Sequence, residues 1–289
     1  MKENIEGAFI LHENVHGKRD LASSRIRGRW IIKYWPGVEE YVSGRKYKFL
    51  IYQKAYLVEM AKMFDGIKIF DICDPDWVNQ ELVIEMIEVC DAVTCSSPAL
   101  QEYLSRITKK PVYYIPDRID MEYVGRRKKI HRGQAREVVW FGYSHNSHTL
   151  KSAVYALKRY KLGLSIITEN MKTITAYSSS PDERRIPERW TKWDLNTFCD
   201  EVLKSDICIM PGSLRANDRF KSNNKTTLAW ALGLPVATDA DDLKRFLDPK
   251  VRQEEADKRY KEVRELYDVK TSIKEMQKII EDIKNDSII

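Results

Sequence analysis

Residues 198–213, FCDEVLKSDICIMPGS, and residues 221–239, KSNNKTTLAWALGLPVATD, decide how the rest of the chain is read. The first opens with a helical pattern over 194–205 and runs into the apolar segment 206–212, which reads as a buried strand. The second opens on polar and charged residues. It continues as a short helix, TTLAWAL, turns at Gly233 and enters a further strand at 234–239. Strand, helix, strand, with the helix N-terminus just after a strand end, is the pattern of a parallel sheet. A helix N-terminus directs unpaired N–H groups outward and favours anions. Ser222 and Asn224 are there to cap the helix or donate to a phosphate oxygen, and Lys225 adds a point charge.

Working outward, the same rhythm fills the chain. Strands are expected at 7–12, 47–53, 67–73, 91–97 and 111–117, with helices between them at 23–35, 55–64, 80–90 and 98–107. Residues 122–136, EYVGRRKKIHRGQAR, are basic and poor in apolar side chains, and they read as a linker. Strands then return at 137–144 and 164–168, with a helix over 148–160 between them, while 172–193 reads as irregular. The fold class expected is α/β: two Rossmann-like domains facing a central cleft, followed by C-terminal helices. The expected boundaries are 1–121 for the first domain, 122–136 for the linker, 137–250 for the second domain and 251–289 for a charged helical tail.

With 289 residues, 43% hydrophobic and 32% charged, the chain is long enough for two cores. Nothing approaches the roughly 18 apolar residues of a membrane-spanning helix. The first residues lack a secretory h-region. Five cysteines, none in CxxC spacing, read as reduced and buried, so a cytoplasmic setting is expected. The net charge of +6 permits an anionic partner without requiring one.

In these segments the chain resembles the GT-B glycosyltransferases, in particular the family-4-like group that uses nucleotide-sugar donors. EVCDAVTCSSPALQEYLSR with PVYYIPDRID is similar to that family's helix–strand–helix–strand unit before the linker. VVWFGYSH is similar to the first strand of its donor domain, and the opening stretch to its donor-binding block. The resemblance implies a glycosyltransferase that moves a hexosyl or pentosyl group from a nucleotide-sugar to an acceptor hydroxyl. The donor would lie in the second domain and the acceptor in the first, with no bound metal. It implies a glycan or lipid-linked acceptor first and hydroxylated bases of phage-type DNA second. In one respect the chain departs from the family. Two Glu eight positions apart, the second gripping the ribose, are replaced by Phe220 and Leu228. Neither accepts a hydrogen bond, which keeps a nucleotide-binding protein without transfer activity as a third reading.

The candidate residues follow. Asp71, Asp74 and Asp76 crowd the end of a strand, with Asp74 preferred as general base, Asp71 as its alternative and His12 behind them. The same pattern would also suit a turn with a helix cap. Arg215 and Arg219 precede the donor helix, as phosphate ligands or surface charge. His145 and His148 follow the first strand of the second domain, with His145 as a contact for the donor's sugar or phosphate or as a structural residue. Ser23, Ser24, Arg25 and Arg27 follow the first strand of the chain, with Arg25 as a phosphate contact or part of a basic helix face. Trp190 and Trp193 would stack on a nucleobase or fill core. Arg126, Arg127, Lys128 and Lys129, with basic runs at 44–48 and 106–110, would track a phosphate backbone or simply be solvated.

Overall fold

All five residues of Gly7–Leu11 are buried, and they form β1 as the short apolar run requires. The computed structural model describes residues 5–17, 21–78, 81–170, 188–213 and 215–286. The chain divides into two units. The first gathers Met1–Asp120, Arg215–Asn223 and Tyr267–Ile289, and the second Met121–Leu214 and Asn224–Leu266.

In the first unit, β1 is joined by β2 (Val38–Glu40), β3 (Phe49–Gln53), β4 (Ile67–Ile72), β5 (Ala92–Cys95) and β6 (Val112–Tyr114). Their order is β2-β1-β3-β4-β5-β6 and every pair is parallel. Strands buried on both faces carry continuous apolar runs instead of alternation, which is why they were legible. Helices Leu82–Val89 and Pro98–Ile107 bury Val83, Met86, Ile87, Leu100 and Leu104 against the sheet.

The second unit holds β7 (Glu137–Phe141), β8 (Gly163–Thr168), β9 (Glu188–Lys192), β10 (Ile207–Ile209) and β11 (Val236–Ala237), in the order β11-β10-β7-β8-β9 and again all parallel. Its core is built from Val138, Trp140, Leu157, Leu164, Ile166, Ile207 and Phe246.

Several expectations change. Strand β2 was not foreseen. Residues 188–192 form a strand, whereas 172–193 was expected to be irregular; positions 171–187 lie outside the described residues. The helix expected over 148–160 begins as a 3-10 helix, Ser144–Ala153, and becomes α-helical only at Val154–Arg159. The helix over 23–35 contains a π-turn at Arg25–Arg29, where the Trp30 N–H reaches back to the Arg25 carbonyl.

The linker reading of 122–136 is corrected. Met121–Val124 is helical, Lys129 N–H donates to the Leu232 carbonyl, and the buried His131 ring bonds the Gly233 carbonyl at 2.8 Å. The Lys129 backbone N–H and the His131 ring are thus spent on backbone acceptors inside the second unit. The C-terminal tail is the expected pair of helices, but it is divided between the units. Pro249–Leu266 belongs to the second unit, while Val269–Asp286 returns to the first, where Glu275 pairs with Arg118.

Candidate functional site

The block that decided the fold is divided between the units. Residues 215–223 belong to the first and the chain from Asn224 to the second. Phe220 explains why. Its ring packs edge-on to Trp77 and Tyr103, at 5.2 and 5.6 Å between centroids, and its carbonyl accepts from Ser97 Oγ at 2.7 Å. Burying a phenylalanine contributes about 1.5–3 kcal/mol, so this side chain anchors the segment in the first unit's core. Ser222 follows it. Its hydroxyl donates to Asp117 Oδ2 at 2.5 Å and does not cap the helix, which begins at Asn224. Arg219 is exposed with its guanidinium over the Phe220 ring, and Arg215 is exposed as well. Three of the expected donor ligands, Arg215, Arg219 and Ser222, thus sit in the first unit, while Asn224 and Lys225 sit in the second.

In the second unit the carboxyl edge of the sheet carries a compact arrangement. β7 ends at Phe141 and is followed by Gly142 at φ +157°. A methyl group at Gly142 would stand 3.1 Å from the Lys225 ammonium, which lies 5.8 Å from the centre of the Trp140 ring. Lys225 comes from the first turn of the helix Asn224–Ala231. Glu169, just past β8, accepts from the Ser144 N–H at 3.0 Å, from Ser144 Oγ at 2.7 Å and from Thr168 Oγ1 at 2.7 Å. It thereby ties the turn after β7 to the end of β8. Burial pushes its carboxyl up, but these hydrogen bonds outweigh that and hold its pKa below the ordinary value. Trp193 follows β9, half-buried, with its backbone N–H donating to the Thr168 carbonyl at 2.8 Å. His145 is exposed and stacked on Tyr143, and His148 Nδ1 bonds the His145 carbonyl. Trp190 is instead a core-packing residue. One edge therefore presents a glycine turn, a lysine, an exposed histidine and a tryptophan.

The first unit presents acids at the matching edge. Asp71, near the end of β4, is fully buried and accepts from Arg27 Nε at 2.8 Å, Arg27 Nη2 at 2.5 Å and Thr94 Oγ1 at 2.7 Å. Arg27, also buried, uses Nη1 for Asp117 and the Ile115 carbonyl, both at 2.8 Å. Burial alone would lower the Arg27 pKa, but the two carboxylates raise it well above its usual value. Buried under Arg27 and Thr94, Asp71 presents no open face to an acceptor hydroxyl, unlike a general base.

Asp74 differs. Its side chain is 39% exposed and pairs with the Lys54 ammonium at 2.6 Å. Burial pushes its carboxyl up, yet the charge and hydrogen bond of Lys54 prevail and hold it below the ordinary aspartate value. Asp76, 17% exposed, takes the same ammonium at 3.2 Å and the Tyr56 hydroxyl, and burial leaves its carboxyl raised. Arg25 is half-buried over the Trp30 ring. Ser24 is buried and donates to Gln53 Oε1, and Ser23 is half-buried. The residues that sequence reasoning missed are Lys54, Tyr56, Asp117 and Gly142. A lone lysine immediately after a buried apolar run, as in YQK, was the available signal for Lys54.

The basic run is largely satisfied within the second unit. Arg127 faces Asp200 at 3.6 Å, Lys128 pairs with Asp257 at 2.5 Å, and Lys129 donates to the Leu203 carbonyl at 2.9 Å; Arg126 is exposed. Of the other basic runs, Arg45 pairs with Glu39 and Arg106 with Glu102. Among the described residues no group of three or more His, Cys, Asp or Glu is placed to hold a metal ion. None of their helices is long and apolar enough to cross a membrane.

No family model and no curated protein matches the sequence. Solved structures do match in shape. An alpha-glucosyltransferase in complex with UDP and a 13-mer DNA containing a HMU base superposes with a TM-score of 0.66 at 12% identity, over 95% of this chain and 98% of that one. T4 phage BGT in complex with its UDP-glucose substrate gives 0.59 at 10% identity, over 95% and 98%. AviGT4, a glycosyltransferase involved in avilamycin A biosynthesis, gives 0.56 at 10% identity, over 96% and 97%. These matches run the length of both partners, and this chain has the GT-B glycosyltransferase fold.

Proposed function

We propose that the protein is a glycosyltransferase that takes a sugar from a nucleoside-diphosphate donor and passes it to an acceptor hydroxyl. The observation that carries this is the Lys225 ammonium held at the Gly142 turn, at the carboxyl end of β7 and on the first turn of a helix. A turn without a side chain admits a phosphate close to the backbone, and the lysine and helix N-terminus meet its charge. Trp193 and His145, at the same edge, are proposed contacts for the rest of the donor.

In the first unit, Asp74 is the proposed base. It removes the acceptor proton as the acceptor oxygen bonds to the sugar's anomeric carbon. The bond from that carbon to the phosphate oxygen breaks, and the nucleoside diphosphate leaves with the electron pair.

For the acceptor we favour a hydroxylated base of DNA. The support is the end-to-end likeness to an alpha-glucosyltransferase solved with HMU-containing DNA and to T4 phage BGT. A glycan or lipid-linked hydroxyl is the alternative outcome. The test is a donor panel of UDP-, GDP- and ADP-sugars read by thermal stabilisation and slow hydrolysis. The stabilising donor is then offered with hydroxymethylated DNA, with unmodified DNA and with sugar acceptors. No stabilisation by any donor would overturn the reading of the site. Transfer to sugar acceptors alone would move the acceptor away from DNA.

A further inference from the structure

Lys54 is one of two non-glycine residues with positive φ among the described residues. The other, Lys161, lies just past the helix Val154–Arg159, where a left-handed residue is the usual way to end a helix. Lys54 has no such excuse. It follows β3 at φ +49°, its N–H donates to the Asp71 carbonyl at 2.9 Å, and its own carbonyl accepts from His12 Nδ1 at 2.9 Å. An uncommon backbone conformation persists where the surroundings hold it, often at working sites. Here it sends a long side chain, 11% exposed, back across the end of β4, where its ammonium meets Asp74 and Asp76 at 2.6 and 3.2 Å.

We propose that Lys54 is the positioning residue of the acceptor side: its ammonium fixes Asp74 and Asp76 in one arrangement and leaves the more exposed Asp74 to take the acceptor proton. The inference rests on the reading of Asp74 as base in a glycosyl transfer.

The division of labour follows from what surrounds the pair. Asp76 is the less exposed carboxylate, and the Tyr56 hydroxyl occupies one of its oxygens. Among the described residues Asp74 has the Cys73 thiol as its one further side-chain donor, at 3.6 Å, and its side chain is 39% exposed. Beyond Lys54, the cation that acts on Asp74 is Lys221, itself paired with Asp218 at 2.6 Å. Without Lys54 two carboxylates would share a partly dry site with no cation between them, and like charges so placed are not both ionised. Lys54 therefore keeps the base free of its proton and stops it rotating towards its neighbour.

The test compares Lys54→Met, Lys54→Asn and Lys54→Arg with the wild type. Asparagine tolerates the left-handed backbone, so the Asn variant separates loss of charge from loss of fold. Acceptor turnover is followed against pH at saturating donor, donor affinity is titrated, and the Asp carboxyls are followed by carbon NMR in the unliganded protein. The Met and Asn variants should lose roughly 10–100-fold in turnover at the acid end, with the loss shrinking as pH rises. Their Asp74 carboxyl should titrate at higher pH, donor affinity should stay within about twofold, and the Arg variant should recover most of the rate.

A pH-independent loss that tracks melting temperature, with the Asp74 titration unmoved, would overturn the proposal and leave the glycosyltransferase reading standing. So would a wild-type Asp74 that titrates at or above the ordinary aspartate value, even if the charge-removing variants failed to fold. A wild type that transfers no sugar from any donor would overturn the reading of function, and the role in proton transfer with it, while the carboxyl titration still showed whether Lys54 clamps the pair.

Discussion

The two units close the same kind of parallel sheet with opposite chemistry. At the carboxyl edge of the first, Asp71, Asp74 and Asp76 lie at or just past the end of β4, with Asp117 following β6, and cations from neighbouring segments hold them. At the same edge of the second, β7 ends in a glycine turn against a lysine, and the nearby carboxylate, Glu169, is absorbed by Ser144 and Thr168. In the proposed reading, Asp74 at one edge accepts the acceptor's proton and Lys225 at the other meets the donor's phosphate. Topology brought both sets of strand ends to a ligand-facing edge, and a few residues after each strand decided what each edge does.

The sharpest way to break the contrast is Asp74→Asn. Turnover should fall by about 10²–10⁴ with donor affinity unchanged, measured by acceptor kinetics beside a donor titration. Full activity would remove the acid edge from the chemistry. Asp71→Asn tests the opposite claim about its neighbour. Because it breaks a buried pair with Arg27, it should cost about 3–5 kcal/mol of stability, seen in denaturant unfolding, and any loss of activity should follow the loss of folded protein.

Next in size is Lys225→Ala, which should weaken donor binding by about 1–3 kcal/mol with little change in fold stability. Calorimetric titration with the stabilising donor checks it.

The pH dependence of stability sharpens the acid edge itself. Asp74 is held below its ordinary value, so its contribution is present above the unfolded pKa and is lost as pH falls through the lower folded value. Asp76 is raised and works the other way. Keeping it ionised in the fold costs stability near neutrality, and that cost is relieved as pH falls through its raised value. Melting temperature should therefore rise slightly on mild acidification before it falls, and Asp76→Asn should abolish the rise.

The smallest effect belongs to the basic run. Exchanging Arg126, Arg127, Lys128 and Lys129 for Ser should change stability by less than about 1 kcal/mol, as exposed pairs do. It should also leave the salt dependence of DNA binding nearly flat between variant and wild type, because Asp200, Asp257 and the Leu203 carbonyl already engage three of the four. A gel shift at two salt concentrations decides it, and a marked fall in slope would restore these cations as phosphate contacts.

By itself the sequence determined the two runs of strands and helices, because strands buried on both faces must be continuously apolar and amphipathic helices must repeat every three to four residues. It also determined that acids crowd the end of β4 and that a lysine stands at the start of the helix after β10, since both are local facts of order along the chain. The tertiary structure decided the rest. Ser222 reads as a cap from the sequence, but Phe220 packs edge-on against the stacked Trp77 and Tyr103 rings, which draws the hydroxyl to Asp117, 105 residues away in sequence. Asp71 and Asp74 look alike three positions apart, but one meets Arg27 from the π-turn Arg25–Arg29 and the other Lys54 from the end of β3. A charge's role depends on which distant partner desolvates or neutralises it, and those partners share no period or spacing with it. Packing alone brings them within reach.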